Sequence, residues 1–173
     1  AILLGFELIR DFATRPTKIG TPMASTIGNI LAGTDVVLVP ILRAGLGMVD
    51  GLLQIIPNAR VGYVGMERDE ETHKPVHYYF KVPKQPGNRR FIILDPMLAT
   101  GGTAIASANS LKDLGATRIK FMCLIAAPEG RDAFCKTHPD IEVYTASIDE
   151  RLDDNKYIIP GLGDAGDRLF GTK

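Results

Sequence analysis

An acidic residue and a threonine–glycine loop stand together at the end of one predicted strand. The apolar run 91–94 is typical of a buried strand, Asp95 follows it, and Thr100-Gly101-Gly102-Thr103 opens a predicted helix. Backbone N–H groups at a helix N-terminus bind phosphate well where glycines keep side chains away, and Asp95 can accept hydrogen bonds from a sugar diol. The chemistry indicated is binding of a sugar phosphate. An ordinary strand–helix loop with a threonine cap is the plainer alternative.

A second loop combines an arginine with two glycines. Arg43 follows the apolar run 36–42 and precedes Gly45 and Gly47. A guanidinium fork and exposed backbone amides suit a diphosphate. Taken alone, an arginine before a glycine is more typical of a plain surface residue, and the charged run 67–72 by itself is typical of a solvated segment.

Three glycines near the C-terminus fit a known spacing. Gly161, Gly163 and Gly166 match the G-x-G-x-x-G pattern of dinucleotide-binding folds. The pattern fails in context, because Pro160 precedes it and only seven residues follow Gly166, too few for a strand–helix–strand unit. We therefore reject a dinucleotide as the ligand of this segment.

Hydrophobic periodicity predicts the elements that position these loops. Residues 2–13 predict a helix, residues 14–34 turns with short strands, and residues 67–82 a projecting hairpin or flap. The remaining strands and helices alternate, with strands predicted at 36–42, 60–66, 91–95, 118–125 and 141–148 and helices at 48–56, 104–114 and 129–137. This alternation predicts an α/β fold with a parallel sheet and helices on both faces. Ligands of such sheets bind beyond the carboxyl ends of the strands.

Composition restricts the class of protein. The chain has 173 residues, 45% hydrophobic and 23% charged, with 20 Lys and Arg against 20 Asp and Glu. These values predict one globular domain over residues 1–173, exclude a disordered chain, and disfavour nucleic acid as a partner because no basic surface is indicated. No apolar run approaches the ~18 residues of a membrane span, so no membrane partner is expected. Cys123 and Cys135 are predicted to be reduced thiols of an intracellular protein.

Four segments together resemble the type I phosphoribosyltransferases. Residues 95–103 are similar to the motif with which that superfamily binds phosphoribosyl diphosphate (PRPP). Most members have two acids after the strand, whereas Pro96 takes the second place here, a departure shared with the uracil phosphoribosyltransferase branch. Residues 40–48 resemble the pyrophosphate loop of that family, and residues 65–72 resemble the segment whose arginine, Arg68 here, is a PRPP ligand. Residues 157–168 resemble its uracil-recognition loop. The match runs from about residue 36 to the end, and we expect the family's N-terminal leader to be missing before Ala1.

The resemblance implies a set of site residues. Catalytic roles are implied for Arg68, Asp95 and Asp164. PRPP contacts are implied for Arg43, Arg68, Asp95, Pro96, Met97, Leu98, Ala99, Thr100, Gly101, Gly102, Thr103 and Asp164. Uracil contacts are implied for Tyr157, Ile158, Gly163, Asp164 and Ala165. Uracil presents two carbonyls and two N–H groups, which a glycine-rich main chain can match at close range.

The resemblance also implies an activity and its partners. The reaction is uracil plus PRPP giving UMP and diphosphate, a step of pyrimidine salvage. The implied fold adds a β-hairpin flap and a C-terminal base-binding hood to the mostly parallel central sheet. Mg²⁺ is implied as cofactor, held through PRPP and near Asp164 rather than by a dedicated set of protein ligands. GTP as an effector, a homo-oligomer (dimer or tetramer) and a cytoplasmic location are implied too. The alternatives are a non-catalytic regulator that senses PRPP or nucleotides on the same fold, and a type I enzyme acting on a purine or orotate.

Overall fold

A mostly parallel sheet organises the chain in the computed structural model, which describes residues 1–32, 35–68 and 75–172. The helices are α1 (Ile2–Leu8), α2 (Leu46–Ile55), α3 (Gly102–Asp113), α4 (Pro128–Thr137) and α5 (Ala165–Phe170). The strands are β1 (Thr14–Gly20), β2 (Ser25–Leu31), β3 (Val36–Leu42), β4 (Arg60–Val61), β5 (Tyr63–Arg68), β6 (Pro75–Lys81), β7 (Arg90–Leu94), β8 (Met97–Leu98), β9 (Arg118–Ala126), β10 (Glu142–Ile148), β11 (Arg151–Leu152) and β12 (Ile158–Ile159).

The central sheet has the strand order β10-β9-β7-β3-β5-β6 in the described part of the chain, with β4 paired to β3 and β8 to β9. All of these pairs are parallel except β5 with β6, which run antiparallel as a hairpin at one edge. The predicted α/β class with a mostly parallel sheet is therefore confirmed. The hairpin lies where the flap was predicted, and its connection, residues 69–74, lies outside the described residues.

Alternate residues of the central strands point to two buried layers. Val37, Val39 and Ile41 of β3 pack with α3 and α4 on one face, whereas Val36 and Leu38 pack with α1 and α2 on the other. A strand covered on both faces needs apolar side chains at every position rather than at every second one. This explains why the strands at 36–42 and 91–94 are continuous apolar runs in the sequence.

The N-terminal fifth of the chain differs from the prediction in two places. The first helix ends at Leu8 and not at residue 13, because the chain turns at Ile9 and so carries Phe12 into the core next to Lys120 and Arg90. Residues 14–34 were expected to form turns with short strands, but β1 and β2 form a regular antiparallel hairpin of seven residues a side. The two strands pair through main-chain hydrogen bonds, and most of their residues are exposed, so the regularity of the hairpin leaves little trace in the sequence.

Two smaller differences follow from local packing. The strand predicted at 60–66 is divided at Gly62, whose N–H donates to the Leu38 carbonyl, so that β4 and β5 are separate. The short helix α5 and the β11–β12 pair were not predicted.

No helix among the described residues is long and apolar enough to cross a membrane.

Candidate active site

A cavity of about 210 Å³ opens where the carboxyl ends of β3 and β7 meet the C-terminal segment 156–168, here called the tail. Its walls come from three stretches that are distant in sequence. The lining residues are Ala44 of the β3–α2 loop, Asp95, Met97 and Ala99 after β7, and Lys156, Tyr157, Ile158, Gly163, Asp164, Ala165 and Gly166 of the tail. The fold thus brings three of the four predicted motif segments to one place, at the sheet edge where ligands of parallel sheets bind.

Asp95 is the carboxylate at the floor of this cavity. It is half-buried, and its Oδ1 accepts the N–H of Met97 at 3.3 Å. Burial raises the pKa of Asp95 to about 7, and the Met97 hydrogen bond acts in the opposite direction with a smaller effect. No lysine or arginine forms an ion pair with it among the described residues. An acid kept without a cation in a cleft is poised to accept hydrogen bonds from a ligand.

Cys123 of β9 lies buried close to Asp95. Burial raises the pKa of the Cys123 thiol to about 12, a hydrogen bond with Thr145 lowers it, and the Asp95 charge raises it. A thiol with such a pKa is protonated at neutral pH and unreactive as a nucleophile. The buried cysteine therefore packs beneath the site without taking part in covalent chemistry.

The loop from Ala99 to Thr103 forms an anion site beside the cavity. Gly101 precedes α3 with φ +82°, a left-handed conformation that favours glycine, and a Cβ there would lie 2.9 Å from the Gly130 carbonyl oxygen. Thr100 Oγ1 accepts the N–H of Gly102 at 3.4 Å. The N-cap residue Gly101 has no side chain to cap α3, so the first-turn N–H groups after Gly102 have no side-chain acceptor among the described residues and are available to a phosphate.

The β3–α2 loop makes a tight turn at Gly45, and the side chain of Arg43 in this loop extends to the tail. A Cβ on Gly45 would meet the Leu94 carbonyl oxygen at 2.3 Å, so only glycine fits this approach to β7. The Leu42–Arg43 peptide bond is cis. The Arg43 side chain does not line the cavity; its Nη2 lies 3.3 Å from Oδ1 of Asp167 in α5.

The tail forms the outer wall of the cavity. The short β11–β12 pair and a hydrogen bond from Gly161 N–H to Asp149 Oδ2 (2.9 Å) hold it against the sheet. Ile158 is buried, and Asp164 Oδ1 accepts the N–H of Asp167 at 2.8 Å, which caps α5. The cap leaves the second carboxylate oxygen of Asp164 for other partners.

Not every predicted residue reaches the cavity with its side chain. Leu98 is 1% exposed and packs in the core, and its carbonyl accepts the Ala127 N–H, so only its main chain is near the site. Pro96 is buried, and its carbonyl accepts the N–H groups of Leu124 and Ile125. Arg68 ends β5 at the carboxyl edge, and its side chain lies outside the part of the chain that is described.

Sequence reasoning missed one cation of this site. Lys156 lines the cavity, is exposed, and has φ +68°, a left-handed value that is strained for a residue with a Cβ. Its ammonium makes no ion pair with the described residues. In the sequence, Lys156 follows a polar run that is typical of a solvated loop, so no sequence pattern indicated that it lines the cavity.

Two further observations bear on what the site can hold. Within the described ranges, no group of three or more His, Cys, Asp or Glu side chains is arranged to bind a metal ion. A larger cavity, about 600 Å³, lies at the opposite end of β3 and is lined mainly by apolar residues with Arg15. It contains none of the predicted motif residues, so volume alone does not identify the site.

Comparison with known proteins identifies the family. The sequence model described as uracil phosphoribosyltransferase matches residues 1–172. The chain belongs to the uracil phosphoribosyltransferase family. A uracil phosphoribosyltransferase of Streptococcus pneumoniae is 55% identical over 173 residues, which is 100% of this chain and 83% of that protein. Membership in the uracil phosphoribosyltransferase family confirms the assignment from the motifs, and the alternative of a non-catalytic regulator finds no support.

Solved structures with the same fold include one close in sequence and one distant. A protein of Aquifex aeolicus has a TM-score of 0.92 at 40% identity, covering 99% of this chain and 82% of its own. A hypoxanthine phosphoribosyltransferase of Staphylococcus aureus has a TM-score of 0.62 at 17% identity, covering 98% and 86%. The second likeness shows the fold alone. The uracil phosphoribosyltransferase family thus shares its architecture with enzymes named for a purine base.

Proposed function

We propose that this chain, residues 1–173 as one domain, transfers the phosphoribosyl group of PRPP to N1 of uracil, giving UMP and diphosphate. The observation that carries the proposal is the cavity shared by Asp95 and the tail. A sugar held by Asp95 would meet a base held by Tyr157, Ile158, Gly163 and Ala165 across a gap of small-molecule size. Family membership supports the same reaction.

Sugar and phosphate binding would use the residues after β7. The ionised Asp95 would accept hydrogen bonds from the ribose hydroxyls, and the open N–H groups at the start of α3 would hold the 5′-phosphate, helped by Thr100 and Thr103. Main-chain groups of residues 96–99 complete the PRPP contacts. Because these donors belong to a strand end and a helix end, they are fixed before the ligand arrives, which lowers the entropic cost of binding.

Departure of the diphosphate requires positive charge. Arg43 and Arg68, at the carboxyl ends of β3 and β5, would offset the charge that grows on the diphosphate as the bond to C1 breaks. Main-chain groups of the tail would orient uracil so that N1 faces C1, which aligns the two reactants. Asp164 lies at the junction of both substrates and is our candidate for the group that accepts the N1 proton.

A magnesium ion fits the donor set of this site without a protein cage. Asp164 lines the cavity with one carboxylate oxygen outside its helix cap, and hard oxygen donors are those that Mg²⁺ prefers. When bound, Mg²⁺ would neutralise part of the diphosphate charge. We expect PRPP oxygens and water to supply most of its ligands, with Asp164 as the nearest protein group.

The direct test is product formation. The chain is incubated with PRPP, Mg²⁺ and uracil, and UMP is measured by chromatography, with hypoxanthine and orotate in parallel reactions. UMP formed only with uracil is the expected result; products from hypoxanthine or orotate would reassign the base, and no product with any of the three would contradict an enzymatic role. Asp95→Ala is expected to raise the KM for PRPP at least about tenfold, because a charged hydrogen bond is lost.

The cellular context is part of the proposal. A pyrimidine salvage role in the cytoplasm, activation by GTP and assembly into a homo-oligomer follow from family resemblance. Light scattering with and without GTP measures the oligomer, and a rate measured with and without GTP measures activation.

A further inference from the structure

Helix α5 contacts the β3–α2 loop through the side chain of Arg43. Its Nη2 lies 3.3 Å from Oδ1 of Asp167, and its guanidinium carbon lies 5.9 Å from the centroid of the Phe170 ring. The Arg43 side chain is 53% exposed and that of Asp167 is 18% exposed. The arginine is therefore anchored on one side by α5 while its other N–H groups face solvent, where an anion can reach them.

Asp167 is itself fixed by neighbours near the C-terminus. Its N–H donates to Asp164, and the Thr172 hydroxyl donates to its Oδ1 at 2.6 Å. Arg43 Nη2 also donates to Thr172 Oγ1 at 3.4 Å. Because the carboxylate cannot turn freely, it presents a fixed acceptor to a long side chain that otherwise has many rotamers.

We infer that Asp167 is a positioning residue, which holds the Arg43 guanidinium in the orientation that meets the diphosphate of PRPP. The inference rests on the proposed function. Asp167 also links the two halves of the site: its N–H is the group that Asp164 caps, and Asp164 lines the cavity. A tail that is folded correctly to bind the base therefore also holds Arg43 in the orientation that suits the leaving group.

Steady-state kinetics and calorimetric titration with PRPP test this role on the full chain. Asp167→Ala is expected to raise both the KM for PRPP and its dissociation constant about tenfold, with little change in the KM for uracil. Asp167→Asn keeps an acceptor oxygen and is expected to recover most of the affinity. The double variant Arg43→Ala plus Asp167→Ala is expected to bind PRPP no more weakly than Arg43→Ala alone, because Asp167 acts through Arg43.

Several results would overturn the inference. These are additive losses in the double variant, a change confined to the KM for uracil, or no gain of Asp167→Asn over Asp167→Ala. Glu7→Ala is the matched control, since Glu7 pairs with Arg10 at 2.9 Å on exposed α1, and PRPP binding should not change. Titration reports PRPP affinity without turnover, so a chain that binds PRPP through Arg43 and Asp167 but forms no UMP would contradict the proposed function and not this inference.

Discussion

Charged side chains have opposite surroundings at the two ends of the parallel sheet. At the amino end, Lys120 of β9 is 14% exposed and is paired with Asp11 at 2.7 Å and Glu142 at 2.9 Å, with Phe12 and Tyr144 beside its ammonium. Burial lowers the pKa of Lys120, but the hydrogen bonds with the two carboxylates outweigh it and raise the pKa overall. At the carboxyl end, no ion pair among the described residues includes Asp95, and burial raises its pKa to about 7.

The difference separates structural charges from functional ones. The charges around Lys120 are paired with each other, so they stabilise the fold and leave no hydrogen-bonding group free for a ligand. A carboxylate without a cation, such as Asp95, lowers the stability of the fold, but its oxygens remain available to accept hydrogen bonds from substrate. The comparison therefore makes two opposite predictions: substitutions at the carboxyl end should alter catalysis more than stability, and substitutions at the amino end should do the reverse.

The largest effect is expected at the carboxyl end of β5. Arg68→Ala should lower kcat by about 100-fold or more, since a cation at the developing diphosphate charge stabilises the transition state, and the melting temperature should stay near that of the unsubstituted chain. Rates of UMP formation and thermal melts measure the two quantities. Arg118→Ala, an exposed arginine at the amino end of β9, is the control and should leave kcat unchanged. A near-normal rate for Arg68→Ala would remove this residue from the mechanism.

The next effect is expected at the amino end. Lys120→Met keeps the apolar stem but leaves Asp11, Glu142 and Tyr144 without their cation, so the free energy of unfolding should fall by about 2 kcal/mol. Urea unfolding at pH 7 measures the change, and UMP formation per folded molecule should be unaltered. Arg131→Met breaks an exposed pair with Asp132 and should cost less than about 0.5 kcal/mol. Equal losses in the two variants would contradict the distinction between a buried and an exposed cluster.

An effect of similar size concerns pH. The pKa of Asp95 is about 7 in the folded chain against an ordinary value of 3.8, so between these pH values the folded state binds more protons than the unfolded state. Stability should therefore fall as pH rises from 4 to 7, by on the order of 2 kcal/mol after allowance for partial exposure. Asp95→Asn should remove this loss, measured as the difference between the two urea-unfolding profiles across pH. Parallel profiles would show that Asp95 titrates normally.

The smallest effect is expected at the left-handed lysine. Lys156→Gly should raise the free energy of unfolding by about 0.5–1 kcal/mol by relieving backbone strain. It should also raise the KM for PRPP by about two- to threefold, because a cation at the cavity is lost. Gln85→Gly is the matched control: Gln85 has φ +59° before β7, far from the site, and should gain stability without a change in KM. A rise in KM for both variants would mean that strain, and not charge, is what matters.

The sequence predicts an element correctly where the burial of that element determines the types of its own residues. Strands β3, β7 and β9 and helices α2, α3 and α4 lie where predicted, because strands covered on both faces are continuous apolar runs and helices end near proline or glycine. The edge strand β10 also lies where predicted, although it is partly exposed. The end of α1, the β1–β2 hairpin and α5 depend on contacts with distant segments: Phe12 beneath Arg90, or α5 against Arg43. Such contacts have no local signature.

The same division holds within the site. Asp95 and the Thr-Gly-Gly-Thr loop could be found from the sequence, because a strand end followed by a glycine-rich helix start has a chemical meaning by itself. The tail could be assigned to the same site only through family resemblance, because no local sequence pattern indicates that residues 95 and 164 line one cavity. Lys156 and Asp167 were missed because a turn conformation and a contact across 124 residues arise only in the folded chain.

The contrast between the two cysteines offers a practical route to following the protein in solution. Cys123 is buried with a pKa near 12, whereas Cys135 lies exposed on α4. A maleimide dye should thus attach to one thiol without any engineered substitution. Helix α4 packs against the loop proposed to hold the 5′-phosphate, through Gly130 and the carbonyl of Ala99. A fluorophore on Cys135 is therefore placed to report ligand arrival optically, in the natural sequence and without a coupled assay.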